Sequence, residues 1–225
     1  MKKISIAIDG PAGAGKSTMA KLPAKELGYV YVDTGAIYRT VGLFMTICGI
    51  SPKDADGVAR LIDEVNVDIA YDEDGSQRML LNGSDVTDDL RTPEMSDCAS
   101  KVSALPVVRE YLLDVQRDLA TRYNVIMDGR DIGTVVLPKA DVKIYLTASA
   151  EVRAQRRLDD LLRAGEKTTL QKVLEDMRQR DHRDMTRPVA PLKQAKDAVL
   201  LDTSDYTLEQ SVAAMKAIIE EKLGK

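Results

Sequence analysis

Apolar positions in the first third of the chain switch between two periods. Ile4, Ile6 and Ile8 supply a short β-branched run that predicts a buried strand. Residues 16–27 then read as a helix, with Leu22 and Leu27 among its apolar positions and Gly28 as its stop. Pro23 falls inside that helix, where it removes a hydrogen bond and crowds the carbonyl of Met19 at a cost of roughly 3 kcal/mol, so a kink is expected there. A second strand is expected over 29–32, followed by an apolar helical stretch to about Cys48. Residues 54–65 form an amphipathic helix with Val58, Leu61, Ile62 and Val65 on one face.

The texture changes from residue 66 to residue 90. Val67–Tyr71, Gln77–Leu81 and residues 85–87 are short alternating runs separated by a polar turn and by Asn82-Gly83, a strong hairpin signal. This antiparallel meander interrupts an otherwise regular alternation. A long helix opens at Pro106 and runs to about Tyr123, followed by a third core strand at Val125-Ile126-Met127 and a fourth over 142–146. Two arginine-rich helices, about 151–164 and 168–181, flank Gly165. A fifth strand at 198–201 precedes a last helix that opens with Thr207-x-x-Gln210, the capping-box spacing, and carries Leu208, Val212, Met215, Ile219 and Leu223 on one face. Strands alternating with helices predict an α/β fold with a parallel sheet sandwiched by helices and ligands outside the carboxyl ends of the strands. Gly10, Asp33 and Asp128 each follow a predicted strand and so are expected to meet in one crevice.

Composition narrows the class. The chain has 225 residues, 44% of them apolar, which suits one domain with a sizeable core and an insertion. No apolar run reaches the length of a membrane span, and Met1-Lys2-Lys3 enters the first strand with no signal-peptide pattern, so a cytoplasmic protein is expected. Cys48 and Cys98 form no CxxC motif or disulfide framework, and the single histidine, His182, argues against a histidine-rich metal site or a serine triad. A net charge of −4 excludes a surface that is a nucleic-acid footprint as a whole. Against that balance, eight arginines (153, 156, 157, 163, 178, 180, 183 and 187) fall between residues 153 and 187 and point to a specific anionic ligand.

The first strand runs into Gly10-Pro11-Ala12-Gly13-Ala14-Gly15-Lys16-Ser17-Thr18, which matches G-x-x-x-x-G-K-[ST] in strand–loop–helix context. Glycines let backbone N–H groups close around phosphate, and the helix N-terminus adds its dipole. Lys16 can then reach the β- and γ-phosphates of ATP and the Ser17 hydroxyl can ligate Mg²⁺. Such a loop does not say where the phosphoryl group goes. Arg39, Arg130 and Arg187 are separate arginines able to clamp a second phosphate, and the arginine-rich 153–187 segment fits a lid that supplies charge and excludes water.

Together with the P-loop, the motifs Asp33-Thr-Gly-Ala-Ile-Tyr-Arg39, Asp128-Gly-Arg-Asp-Ile-Gly-Thr134, Arg180-Asp-His-Arg-Asp184 to Arg187, and Ala190-Pro191-Leu192 resemble bacterial cytidylate kinase over nearly the whole chain. The resemblance implies a P-loop three-layer sandwich with a five-stranded parallel sheet. A small β insert (66–90) near the acceptor and a helical lid (153–187) would complete it. It also implies transfer of the ATP γ-phosphoryl group to CMP or dCMP with Mg²⁺, in a monomer. Carried over residue by residue, Arg39, Arg130 and Arg187 hold the CMP phosphate. Ser100, Arg109 and Asp131 read the cytosine, and Arg180 and Asp184 contact the sugar. Arg157 approaches the ATP phosphates, and Thr34, where serine is also common, helps place the acceptor.

The base assignment makes chemical sense, because a carboxylate accepts from the cytosine N4 amino group and an arginine donates to N3 and O2, whereas uracil presents the opposite pattern. Alternatives stay open at this point. Asp131 can be paired with Arg109 or Arg130 without touching a base, Ser100 can bond within its own helix, and Asp128 can approach Mg²⁺ directly or through water. The acceptor can be UMP, AMP or shikimate, or the chain can be a nucleotide-dependent switch.

Overall fold

The computed structural model describes residues 2–224. Five strands, β1 (Ser5–Asp9), β2 (Val30–Asp33), β6 (Val125–Gly129), β7 (Val142–Thr147) and β8 (Val199–Asp202), form one sheet in the order β2-β6-β1-β7-β8, with every pairing parallel. The alternation along these strands feeds two cores. Ala7, Val125 and Met127 face one side, where they join Ile37, Val41 and Met45 of α2 (Thr34–Ile47) and Val108 and Leu112 of α5 (Pro106–Arg122). Ile6, Ile8, Ile126 and Ile144 face the other side, against Met19 and Ala20 of α1 (Lys16–Leu27) and Met215 and Ile219 of α8 (Leu208–Leu223). Helices thus cover both faces, which explains why the strands read as almost continuously apolar.

Strand register decides where the chemistry lies. Asp33 of β2 pairs with Asp128 of β6, which pairs with Ile8 of β1, and Asp9 pairs with Gly129 one step further on. The carboxyl ends of these three strands therefore finish level with one another beside the point where strand order reverses, which is where open α/β sheets bind ligands.

Between α2 and α5 lie α3 (Ala55–Leu61) with a following 3₁₀ turn (Ile62–Glu64), a separate antiparallel sheet β3 (Val67–Tyr71), β4 (Gln77–Leu81) and β5 (Ser84–Asp85), and α4 (Pro93–Val102). Asn82 and Gly83 both take positive φ, 49° and 84°, as a two-residue hairpin turn requires. The third run is shorter than the pattern predicts, because Thr87 leaves the ladder: its Oγ1 accepts from the Met79 N–H and donates to Asp85. Helix α1 carries Pro23 within its span and ends at Gly28 in the left-handed conformation. One further element differs from the sequence reading. Of the arginine-rich pair α6 (Ala150–Arg163) and α7 (Leu170–Thr186), the second runs five residues past its expected end, which puts Arg183 and Asp184 on a rigid helix.

Helix α4 has no counterpart in the pattern of apolar residues, since its buried face is only Met95, Cys98, Ala99, Ser100 and Val102. Its start is nevertheless written in the sequence: Thr92 Oγ1 accepts from the Met95 N–H at 3.1 Å, and Pro93 occupies the first turn. Because α4 presents Ser100 to the site, this cap has a consequence for it. Thr92→Ala is expected to cost about 1 kcal/mol, lowering the melting temperature by about 2–4 °C, as measured by thermal unfolding; an unchanged midpoint contradicts the assignment.

Candidate active site

The loop between β1 and α1 is built so that only glycine fits at its start. Gly10 has φ +154°, and a Cβ there would lie 1.9 Å from the Leu146 carbonyl oxygen of the neighbouring strand. Gly15, at φ 89°, turns the chain into α1. Pro11, Ala12 and Ala14 are buried, whereas Gly13 and Thr18 are exposed. The Lys16 ammonium is folded onto its own loop, donating to the carbonyls of Gly10 (2.8 Å) and Pro11 (2.9 Å). Burial, then the positive charge of Arg130, pushes Lys16 down to about 7. A phosphate seated in the loop would oppose this lowering by favouring the charged amine.

Beside the lysine, Ser17 Oγ donates to Asp128 Oδ2 at 3.0 Å and the Tyr31 hydroxyl donates to Oδ1 at 3.0 Å. Burial, followed by the neighbouring Asp33 charge, raises Asp128 to about 6. Thr34 Oγ1 donates to the Asp128 carbonyl at 2.7 Å, tying α2 to the end of β6. Ser17 and Asp128 are hard oxygen donors side by side at the P-loop. That suits Mg²⁺, which binds through one or two protein oxygens together with phosphates and water. Among the described residues no group of three or more His, Cys, Asp or Glu residues could hold a metal by itself.

The second half of the site is an arginine cluster. Arg130 Nε donates to Asp184 Oδ2 at 2.9 Å, and Ser100 Oγ donates to Oδ1 of the same carboxylate at 3.1 Å. Burial pushes Asp184 up, but Arg130 and Arg180 outweigh it and hold the carboxyl below the usual range. Arg180 is lowered to about 10 by burial, then by Arg130, with Arg39 and Arg157 adding to the repulsion, and its buried Nε has no partner. Arg39 pairs with Asp33 at 2.9 Å while its own Nε stays buried and unpartnered. Four arginines from α2, the end of β6, α6 and α7 thus share one region with Asp33 and Asp184, and Arg130 and Arg180 act directly on Lys16.

Deeper in, Asp131 is clamped between two cations. Arg109 Nη2 donates to its Oδ2, and Arg187 Nη2 donates to Oδ1 at 3.2 Å. Burial still outweighs both partners and raises the Asp131 carboxyl. Arg187 is fixed by further bonds to Ser103 Oγ (3.1 Å) and to the carbonyl of Ala190 (2.7 Å), a residue held at φ 49°.

These contacts show which partners the candidate residues take. Asp131 is paired with Arg109 and Arg187, not with Arg130. Ser100 bonds the Asp184 carboxylate across the site, not its own helix. Arg39 is half-buried against Asp33. Sequence reasoning missed Asp9, whose carboxylate accepts from the Ile132 and Gly133 N–H groups. It also missed a link from α6 and α7 to the P-loop: Arg153 pairs with Asp181 at 2.7 Å and donates to the Ala12 carbonyl, and the Ala12 N–H donates to Asp181. The signal for that link was the burial-prone apolar set Ala154, Val173 and Met177, which packs on Ala12.

Comparison with known proteins agrees with this geometry. A family model described as Cytidylate kinase matches residues 6–221. A cytidylate kinase of Carboxydothermus hydrogenoformans is 48% identical over 217 residues, covering 96% of this chain and 97% of the relative. Another, from Lactobacillus johnsonii, is 46% identical over 219 residues, covering 97% and 95%. Among solved structures, a shikimate kinase from Bacteroides thetaiotaomicron superposes with a TM-score of 0.50 at 15% identity, covering 99% of each chain, and supports the fold alone. No helix among the described residues is long and apolar enough to cross a membrane. From a model match over almost the entire length and relatives near half identity, the chain belongs to the cytidylate kinase family.

Proposed function

We propose that this chain transfers the γ-phosphoryl group of ATP to CMP or dCMP, giving ADP and CDP or dCDP, with the residue roles derived below. The observation that carries the proposal is the shared crevice: a P-loop lysine and four arginines act on one another across it, with buried guanidinium nitrogens left unpartnered. Anionic ligands would offset the charge that the carboxylates of the site leave unbalanced. A nucleotide switch needs one phosphate chain, but this arrangement suits two.

In this reading the P-loop N–H groups and Lys16 hold the β- and γ-phosphates, while Arg39, Arg130 and Arg187 orient the CMP phosphate for in-line attack. Arg157 approaches the ATP phosphates from α6. Ser17 and Asp128 would hold Mg²⁺, which when bound neutralises charge on the phosphate oxygens. No general base is required, because an acceptor phosphate oxygen is largely anionic near neutral pH. Arg180 and Asp184 take the sugar. Ser100, Arg109 and Asp131 read cytosine, and uracil would leave the buried carboxylate facing an acceptor oxygen, which discriminates strongly. The β insert and the 153–187 segment close over the acceptor and donor and exclude water.

The direct test is ADP release from ATP and Mg²⁺ with CMP, dCMP, UMP, AMP, GMP or no acceptor. Strong turnover restricted to CMP and dCMP is the expected result. Equal turnover with UMP removes the base reading, and slow ADP release indifferent to acceptor removes the kinase reading. A second expectation follows from Lys16, which burial and Arg130 hold at about 7. ATP binding at about pH 8 should draw a proton onto its amine, since nearby phosphates favour the charged form. Calorimetry in buffers of different ionisation enthalpy should therefore show proton uptake that Lys16→Ala abolishes; no buffer dependence in the wild type contradicts this.

A further inference from the structure

We propose that Asp9 is a positioning residue for acceptor recognition: it caps the turn that follows Asp131 and so frees the Asp131 carboxylate to face the acceptor base. Asp9 is the last residue of β1, directly before the P-loop, and is 4% exposed. Its two oxygens accept from the N–H groups of Ile132 and Gly133, both at 2.7 Å. Among the described residues it forms no salt bridge. Burial pushes it up to about 6, so retaining a carboxylate here is costly, and the two N–H bonds are what it obtains in return.

Those N–H groups open a single π turn, Ile132–Val136, for which Asp131 stands at the N-cap position. An aspartate at that position ordinarily turns its carboxylate back to accept from the N–H groups just ahead of it. Asp131 does not: it makes no cap bond, and both oxygens go to Arg109 and Arg187. Asp9 reaches across from the adjacent strand and does that capping instead. Strand register puts it in place, since Asp9 pairs with Gly129, two residues before Asp131. Gly133 completes the fit, because a Cβ there would lie 3.3 Å from Asp9 Oδ2 and 3.2 Å from Lys143 Cδ. The same residue that starts the donor loop thereby sets the direction of the acceptor-reading carboxylate.

The proposal rests on the assignment of Asp131 to the base, and the test separates the two. In Asp9→Asn one oxygen becomes an NH₂ that faces an N–H, and Asp131, at the N-cap position of the turn, is placed to cap the orphaned group. The ratio of kcat/KM for CMP to that for UMP should fall about tenfold, through a higher KM for CMP, while KM for ATP stays within about twofold. Gly133→Ala presses on the same link from the other side and should move the ratio in the same direction by about threefold. A purely structural role lowers the melting temperature but leaves the ratio alone. If Asp9→Asn does not fold, Gly133→Ala decides. A ratio within twofold of wild type in the folded variants overturns the proposal, provided Asp131→Asn does lower it. If Asp131→Asn leaves the ratio unchanged as well, the base reading fails and the proposal falls with it.

Discussion

The site packs much positive charge into little water. Lys16, Arg39, Arg130, Arg157 and Arg180 act on one another at the carboxyl end of the sheet. Their mutual repulsion and desolvation show in the lowered lysine and the lowered Arg180. Carboxylates offset only part of this: Asp33 holds Arg39, Asp184 holds Arg130, and Asp131 sits between Arg109 and Arg187. Each of those pairs also ties a side chain of the site to a second element or to its neighbour. Preorganised charge of this kind is the main resource an enzyme has for phosphoryl transfer, where little covalent chemistry falls to the protein.

The scaffold explains how so many side chains from distant segments meet. Level strand ends bring Asp9, Asp33 and Asp128 to one edge, and two helix faces bring Ser100 and Asp184 over it. Nearly every acidic residue in the crevice has a partner from another element. The cores beneath are apolar and continuous on both faces of the sheet, so the rigidity of the site comes from the packing under it.

What was legible in the sequence was local. The P-loop, the Asn82-Gly83 hairpin, the capping box at Thr207 and the order of strands and helices all depend on residues within a few positions of one another, and all appear in the structure. Helix α4 escaped because its buried stripe is short and half polar, although Thr92-Pro93-Glu94 announced its start. The π turn has no sequence period of its own to betray it. Pairings such as Asp9 with Gly133, 124 residues apart, or Asp131 with Arg187, 56 residues apart, are consequences of topology, and no spacing rule reaches that far.

Transfer between two nucleotides requires two phosphate sites facing each other in one crevice. Binding of a bisubstrate analogue, adenosine and cytidine joined through five phosphates, tests this most directly when measured by calorimetry against ATP and CMP alone. One molecule should bind per chain, at least about 100-fold more tightly than either nucleotide, and be displaced by both. Binding no tighter than that of ATP, with CMP unable to compete, would contradict it.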